Sequence, residues 1–272
     1  MKKFRTSLII LVLATLMCTL LTGCGDPEKK AAKEAFKAEK ERIESQINER
    51  DEAIDDAESL LESKAKALDE TIAPALKDAI AQAKTDEVEI PSMPSKTEEI
   101  NEATETLKGI DITEQINDIR NMSNSLKKSR KQYKMLVAPK ESFIVERLGN
   151  VSSISNVQAV TEDNDPNGKL NKSGGYTSAV YFSNAKAMEN YGFATGDSIE
   201  DGTDCGGCIE VYRTVSEAKT RNEYLGAYDG GLFDSGSHTV YGTIIIRTSC
   251  ELTASEQKAL EAEILSALTY IK

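Results

Sequence analysis

Cys205-Gly206-Gly207-Cys208 spaces two thiols two residues apart, the interval at which dithiols exchange electrons or close a small disulfide loop. Redox chemistry of that kind needs the first cysteine at a helix N-terminus, where the dipole favours a thiolate. Here a β-rich run follows, so the expectation is a local disulfide on a surface loop or two thiols, not a redox centre. A third thiol, Cys250, and the single histidine, His238, would have to converge in space to make a zinc site, and no second close pair supports one. Asp234-Ser235-Gly236-Ser237-His238 sets serines near that histidine, but no Gly-x-Ser-x-Gly elbow exists and neighbours in sequence do not make a dyad. The segment reads as a loop entering a strand.

Asp163-Asn164-Asp165-Pro166-Asn167-Gly168 offers hard oxygen ligands at positions one, three and five, with glycine at six to permit a sharp bend. Asp163, Asp165 and Asn167 are the candidate calcium ligands, and Asp201 and Asp204 are the residues that would complete such a site from elsewhere. The spacing resembles the first half of an EF-hand loop. It departs from that family at position twelve, which is Gly174 and not a bidentate glutamate, at Pro166, and in following a strand. Asp-Pro-Asn-Gly is also strong turn chemistry by itself. Arg213 and Arg247 fall in apolar runs near Glu210, a pattern that predicts either an anion site or an internal ion pair.

These residues lie in the C-terminal half, and composition explains why. Fourteen of the 17 glycines lie from Gly149 onward and twelve of the 15 aromatic residues from Phe143 onward. The middle of the chain is rich in Ala, Glu, Lys, Ile and Leu, which favour helix. Residues 28 to 72 lack proline and glycine, and Ile47, Ile54, Leu61 and Leu68 recur every seven residues, with Arg50 and Lys64 interrupting the companion position. Pro74 marks a kink or a new start, Pro91 and Pro94 a break, and Ser95-Lys96-Thr97-Glu98 a capping box. Ile100, Ala103 and Leu107, then Ile112, Ile116, Ile119 and Leu126, continue an apolar stripe to Pro139. The region is expected to be a helical stalk, either an antiparallel hairpin or a coiled coil.

From Pro139 the pattern predicts a short helix to Gly149 and strands at 157–162, 177–183, 208–214 and 239–249. Thr214-x-x-Glu217 and Thr253-x-x-Glu256 open two more helices. The expected fold is α+β, with a sheet of about four strands and helices on one face.

The N-terminus supplies an address. Lys2, Lys3 and Arg5 precede an apolar run that is short for a membrane span, and then comes Leu21-Thr22-Gly23-Cys24. This resembles the lipobox of bacterial lipoproteins. The resemblance implies cleavage before Cys24, a diacylglycerol on its sulfur, and acyl chains such as palmitate holding the protein on the extracytoplasmic face of a cell membrane. The expected domains are thus a signal peptide at 1–23, a stalk at 24–138 and an α+β domain at 139–272. Three phrases, TEDNDPNGKLNKSGGYTSAVYFS, GGCIEVYRTVSEAKTRNEYL and SGSHTVYGTIIIRTS, resemble uncharacterised surface lipoproteins of Gram-positive bacteria across most of the last domain. That resemblance implies a cell-surface setting and no particular chemistry.

The net charge is −12, and residues 1–23 hold three of the cations and no acid, so their removal leaves −15. Such a chain does not suit nucleic acid. The expected function is non-enzymatic binding of an extracellular ligand or protein. One alternative is an enzyme with His238 and the glycine-rich loops 229–237 and 201–207 around a cleft. Another is an envelope scaffold acting through the helical region.

Overall fold

The computed structural model describes residues 26–231 and 236–271. Cys24 and the rest of the lipobox, and Asp234 and Ser235, lie outside the described residues. The elements are α1 (Pro27–Glu62), α2 (Ile72–Thr85), α3 (Thr97–Lys108), α4 (Thr113–Met135), α5 (Glu141–Leu148), β1 (Ile154–Ala159), β2 (Ser178–Asn184), α6 (Ala185–Tyr191), β3 (Gly206–Val211), α7 (Val215–Gly226), β4 (His238–Tyr241), β5 (Ile244–Thr248) and α8 (Ala254–Leu268). Among the described residues no helix is long and apolar enough to cross a membrane.

Two compact units divide the chain, one formed by the segment ending at Asn48 with Val88–Ile112, the other by Glu49–Glu87 with Thr113 onward. In the first unit, Ala32, Phe36 and Ile43 of α1 bury their side chains against Ile100 and Leu107 of α3, with Val88 and Ile90 at the edge. Asp26 starts α1 by accepting a hydrogen bond from the Glu28 amide (3.1 Å), and Pro27 suits the first helical position. Arg42 closes the other helix: its Nη2 donates to the carbonyls of Leu107 (2.9 Å) and Ile110 (3.1 Å), groups that a helix end leaves without partners. The expected capping box at Ser95 does not form. Lys96 is the cap residue of α3 and makes no side-chain capping bond.

In the second unit the rest of α1 lies with α2 and α4, burying Ile54, Ala57, Leu76, Ile80, Ile116, Ile119 and Leu126. The 36-residue α1 is the long helix expected, but it ends before Leu68. Arg130 takes the carbonyls of Leu60 and Ser63, both at 2.8 Å, and so satisfies the helix end. Leu68 then leaves the heptad and packs against the sheet's core, as Leu136 does after α4. The 138–139 position therefore falls inside this unit.

The sheet is antiparallel throughout, in the order β1-β2-β3-β5-β4. It has five strands, one more than expected, because 239–249 is a hairpin and not a single strand. Gly242 has φ +61°, which permits a two-residue turn between Tyr241 and Ile244. A Cβ on Gly242 would also stand 2.4 Å from the Leu136 carbonyl oxygen, so two constraints demand glycine there. The first strand begins three residues earlier than expected, at Ile154. Helix α6, unforeseen, starts where the Asn184 side chain accepts from the Lys186 and Ala187 amides, and ends at left-handed Gly192.

Alternation along the strands builds two cores. Val180, Phe182, Ile209, Val211, Ile244 and Ile246 face α5, α6 and α8. Ala179, Tyr181, Cys208 and Ile245 face the other way, under Ala218 and Leu225 of α7. Helices thus cover both faces, where one had been expected. The capping boxes at Thr214 and Thr253 both form as read from the sequence.

Candidate functional site

Strand β3 places Cys208 and Glu210 on the α7 face and Ile209 and Val211 on the other. Glu210 is 0% exposed. A buried carboxylate needs partners, and it has three. Arg247 of β5 donates from Nη1 at 2.9 Å. The Tyr212 hydroxyl donates at 2.6 Å. Arg221 of α7 donates from Nε (3.0 Å) and Nη2 (3.1 Å), a bidentate pair. Burial pushes the Glu210 carboxyl up, but the two guanidinium groups and the Tyr212 hydroxyl outweigh it and leave the group below the usual range. Burial first, and Glu210 second, raise the Tyr212 phenol.

The expected internal pair of Glu210 and Arg247 is therefore present, and Arg213 is not part of it. Arg213 lies past the end of β3, and its guanidinium donates to the carbonyls of Asn171 (3.2 Å) and Lys172 (3.3 Å). Arg221 was missed. Its signal is positional: it stands three residues after Ala218 and four before Leu225, on the stripe that α7 buries. A cation in that stripe needs an anion beneath it.

Beside this network lies a cavity of about 510 Å³, of the size range that takes small ligands. Its lining includes Asn167, Lys169, Tyr176, Tyr212, Arg221 and Tyr224. Arg221 packs over the Tyr224 ring, 5.3 Å from its centroid. The Arg221 side chain is 23% exposed, and among the described residues its Nη1 makes no hydrogen bond.

The Asp163–Gly168 segment contributes Asn167 to the lining. Asp165 organises it, with Oδ1 accepting from the Asn167 amide (3.0 Å) and the Tyr176 hydroxyl, and Oδ2 from the Leu170 amide (2.7 Å). Burial raises the Asp165 carboxyl, but these donors prevail and hold it low. The Asn167 side-chain Nδ2 donates to the Tyr176 (3.5 Å) and Tyr181 (3.4 Å) hydroxyls. Asp163 is exposed and stands outside that network. Asp201 is used in its own loop, accepting from the Thr195 (2.7 Å) and Gly196 (3.3 Å) amides. Among the described residues no three His, Cys, Asp or Glu side chains gather as a metal-binding group.

Cys205 and Cys208 are buried, not on a surface loop, and no disulfide joins them. Burial pushes the Cys205 thiol up to about 11, with Asp201 and Asp204 adding to it, and raises the Cys208 thiol further. The glycines between them answer to packing. A Cβ on Gly206 would stand 2.1 Å from the Phe182 carbonyl oxygen, and one on Gly207 2.2 Å from that of Arg247.

His238 is held between two partners, with Nδ1 2.9 Å from Asn222 Oδ1 and Nε2 3.0 Å from Asp229 Oδ1. It shares a cavity of about 350 Å³ with Asp229, Cys250 and Gln257. The Ser237 hydroxyl pairs with Thr248 (2.8 Å), so among the described residues Ser237 and His238 form no dyad. Residues of both glycine-rich segments reach the end of β5: the Ser249 amide donates to the Gly206 carbonyl, and Gly236 packs on the Thr248–Cys250 backbone. A wider groove, about 1010 Å³, is lined by the end of α5 and the residues after it and by the C-terminal part of α8. Its one cation, Arg147, is stacked on Phe143 (4.9 Å) and donates to the Ala267 carbonyl (3.3 Å). The cavity at Arg221 is the better candidate, because a buried charge network fixes the polar group in its wall. Compared with family models, curated proteins and solved structures, the chain matches none.

Proposed function

We propose that this protein is a lipid-anchored surface protein whose sheet-bearing unit binds an extracellular ligand in the cavity beneath α7, without catalysis. One observation carries the binding site: Arg221, fixed on two nitrogens by buried Glu210, is also a wall residue of a cavity with three tyrosines. Holding a long cation in one rotamer before a ligand arrives removes an ordering cost from binding. The anchor is carried by the sequence Leu21-Thr22-Gly23-Cys24, and the partner there is the membrane through lipid on Cys24.

A fragment screen read by amide chemical shifts tests the site. Shifts are expected at residues 167–176 and 212–224. Hits confined to the α5–α8 groove or to His238 would overturn it, as would a hydrolase activity lost in His238→Ala. For the anchor, metabolic labelling with a fatty acid should mark the wild type and spare Cys24→Ser, which should be shed into the medium.

A further inference from the structure

We propose that the cavity beneath α7 takes an organic carboxylate, gripped by Arg221 Nη1 and Lys169, with the ligand's body against Tyr176, Tyr212 and Tyr224. This rests on that cavity being the binding site, and adds the chemical class of what enters it. Glu210 occupies the Nε–Nη2 edge of the Arg221 guanidinium, so the Nη1 end is what remains to offer. Lys169 lines the same space and forms no ion pair among the described residues. Two cations in one wall repel a cationic ligand and favour an anion, and a charge-assisted hydrogen bond is roughly twice as strong as a neutral one. Glu217 also lines the cavity and keeps its charge, but its Oε2 accepts from the Arg213 (3.0 Å) and Thr214 (3.2 Å) amides at the start of α7, which draws that charge toward the helix end.

The rest of the lining decides between anions. Phosphate sites gather several donors, commonly unpaired backbone amides at a helix start or a glycine loop. Here the start of α7 is already capped by Thr214, and the Gly175 amide already donates to the Lys172 carbonyl at 3.0 Å. One guanidinium end, one ammonium and three phenol rings instead fit a singly charged group on a flat body. A sugar acid and an aromatic acid share that chemistry.

The experiment is calorimetric titration of the full chain in detergent with D-glucuronate and 4-hydroxyphenylacetate, each beside its neutral amide, and with inorganic phosphate. One acid is expected to bind, about tenfold or more tighter than its amide, because the amide lacks the charge. Which acid binds identifies the source. Lys169→Ala should weaken the acid and leave the amide unchanged, and its melting midpoint shows whether the fold is intact. Thr220→Trp, which fills the cavity without touching Glu210, should abolish both. Equal binding of acid and amide, lost in Thr220→Trp, would overturn the carboxylate and leave the cavity as the site. Acid binding that survives Thr220→Trp would overturn both. Phosphate binding tighter than either acid, or binding by none of the probes, would overturn the carboxylate.

Discussion

Glu210 on β3 and Arg221 on α7 are joined by two hydrogen bonds, 3.0 and 3.1 Å long, across the interface between sheet and helix. The carboxylate is buried and cannot be left without a partner, so this pair sets where α7 sits on the sheet. It also leaves Nη1 as the end of the guanidinium that Glu210 does not occupy.

Removing one side of that pair should cost about 3–5 kcal/mol, because a buried charge loses its compensation. Arg221→Ala is expected to lower the unfolding free energy obtained from a urea titration by that amount. Arg221→Lys should recover only part of it, since an ammonium cannot make the bidentate contact. Equal stability of wild type and Arg221→Ala would show that Arg247 and Tyr212 suffice.

The same carboxylate makes stability depend on acid. Its folded pKa lies below the ordinary glutamate value of 4.5, so its contribution is present above that value and is lost as pH falls through the folded one. Denaturation at a series of pH values from 7 downward should show stability declining below about pH 4.5. Asp165 and Asp201, also held low by hydrogen bonds, steepen the loss. Glu210→Gln should be less stable at neutral pH and show a shallower decline.

Gly206 and Gly207 have no room for a methyl group against the neighbouring backbones. Gly207→Ala should destabilise by about 2 kcal/mol or more, the upper part of the overpacking range. A thermal melt reads this directly, and an unchanged midpoint would mean the strands can separate at that point.

Asp165 is expected to stabilise its loop by accepting internal donors. Asp165→Ala should lower the melting midpoint by the equivalent of about 1–3 kcal/mol, to the same extent in millimolar calcium and in chelator. A calcium-dependent rise in the wild type that Asp163→Ala abolishes would instead make Asp163, Asp165 and Asn167 a metal site.

Exposed Cys250 should alkylate first, with buried Cys205 and Cys208 reacting only on unfolding. Peptide mass mapping before and after urea distinguishes them. A Cys205–Cys208 disulfide found in the native protein would contradict the strand geometry of β3.

What the sequence determined by itself is local. The capping boxes at Thr214 and Thr253, the stop at Gly149 and the β-branched runs all act within a few residues; the helices they predict are present and the runs mark the strands, though 239–249 splits into two. The α+β class follows from them. What only the tertiary structure decided is long-range. Leu68 continues a heptad on paper, yet it leaves α1 because Arg130, 70 residues from Leu60, takes over that helix's carbonyls. The hairpin at Gly242 is enforced partly by the Leu136 backbone. Glu210 chose Arg221 over Arg213 because strand alternation and helix placement, not nearness in sequence, govern which cation reaches a buried anion. The cavity follows from that choice, since its walls come from a turn, a strand end and a helix that meet only when the sheet's second face is covered.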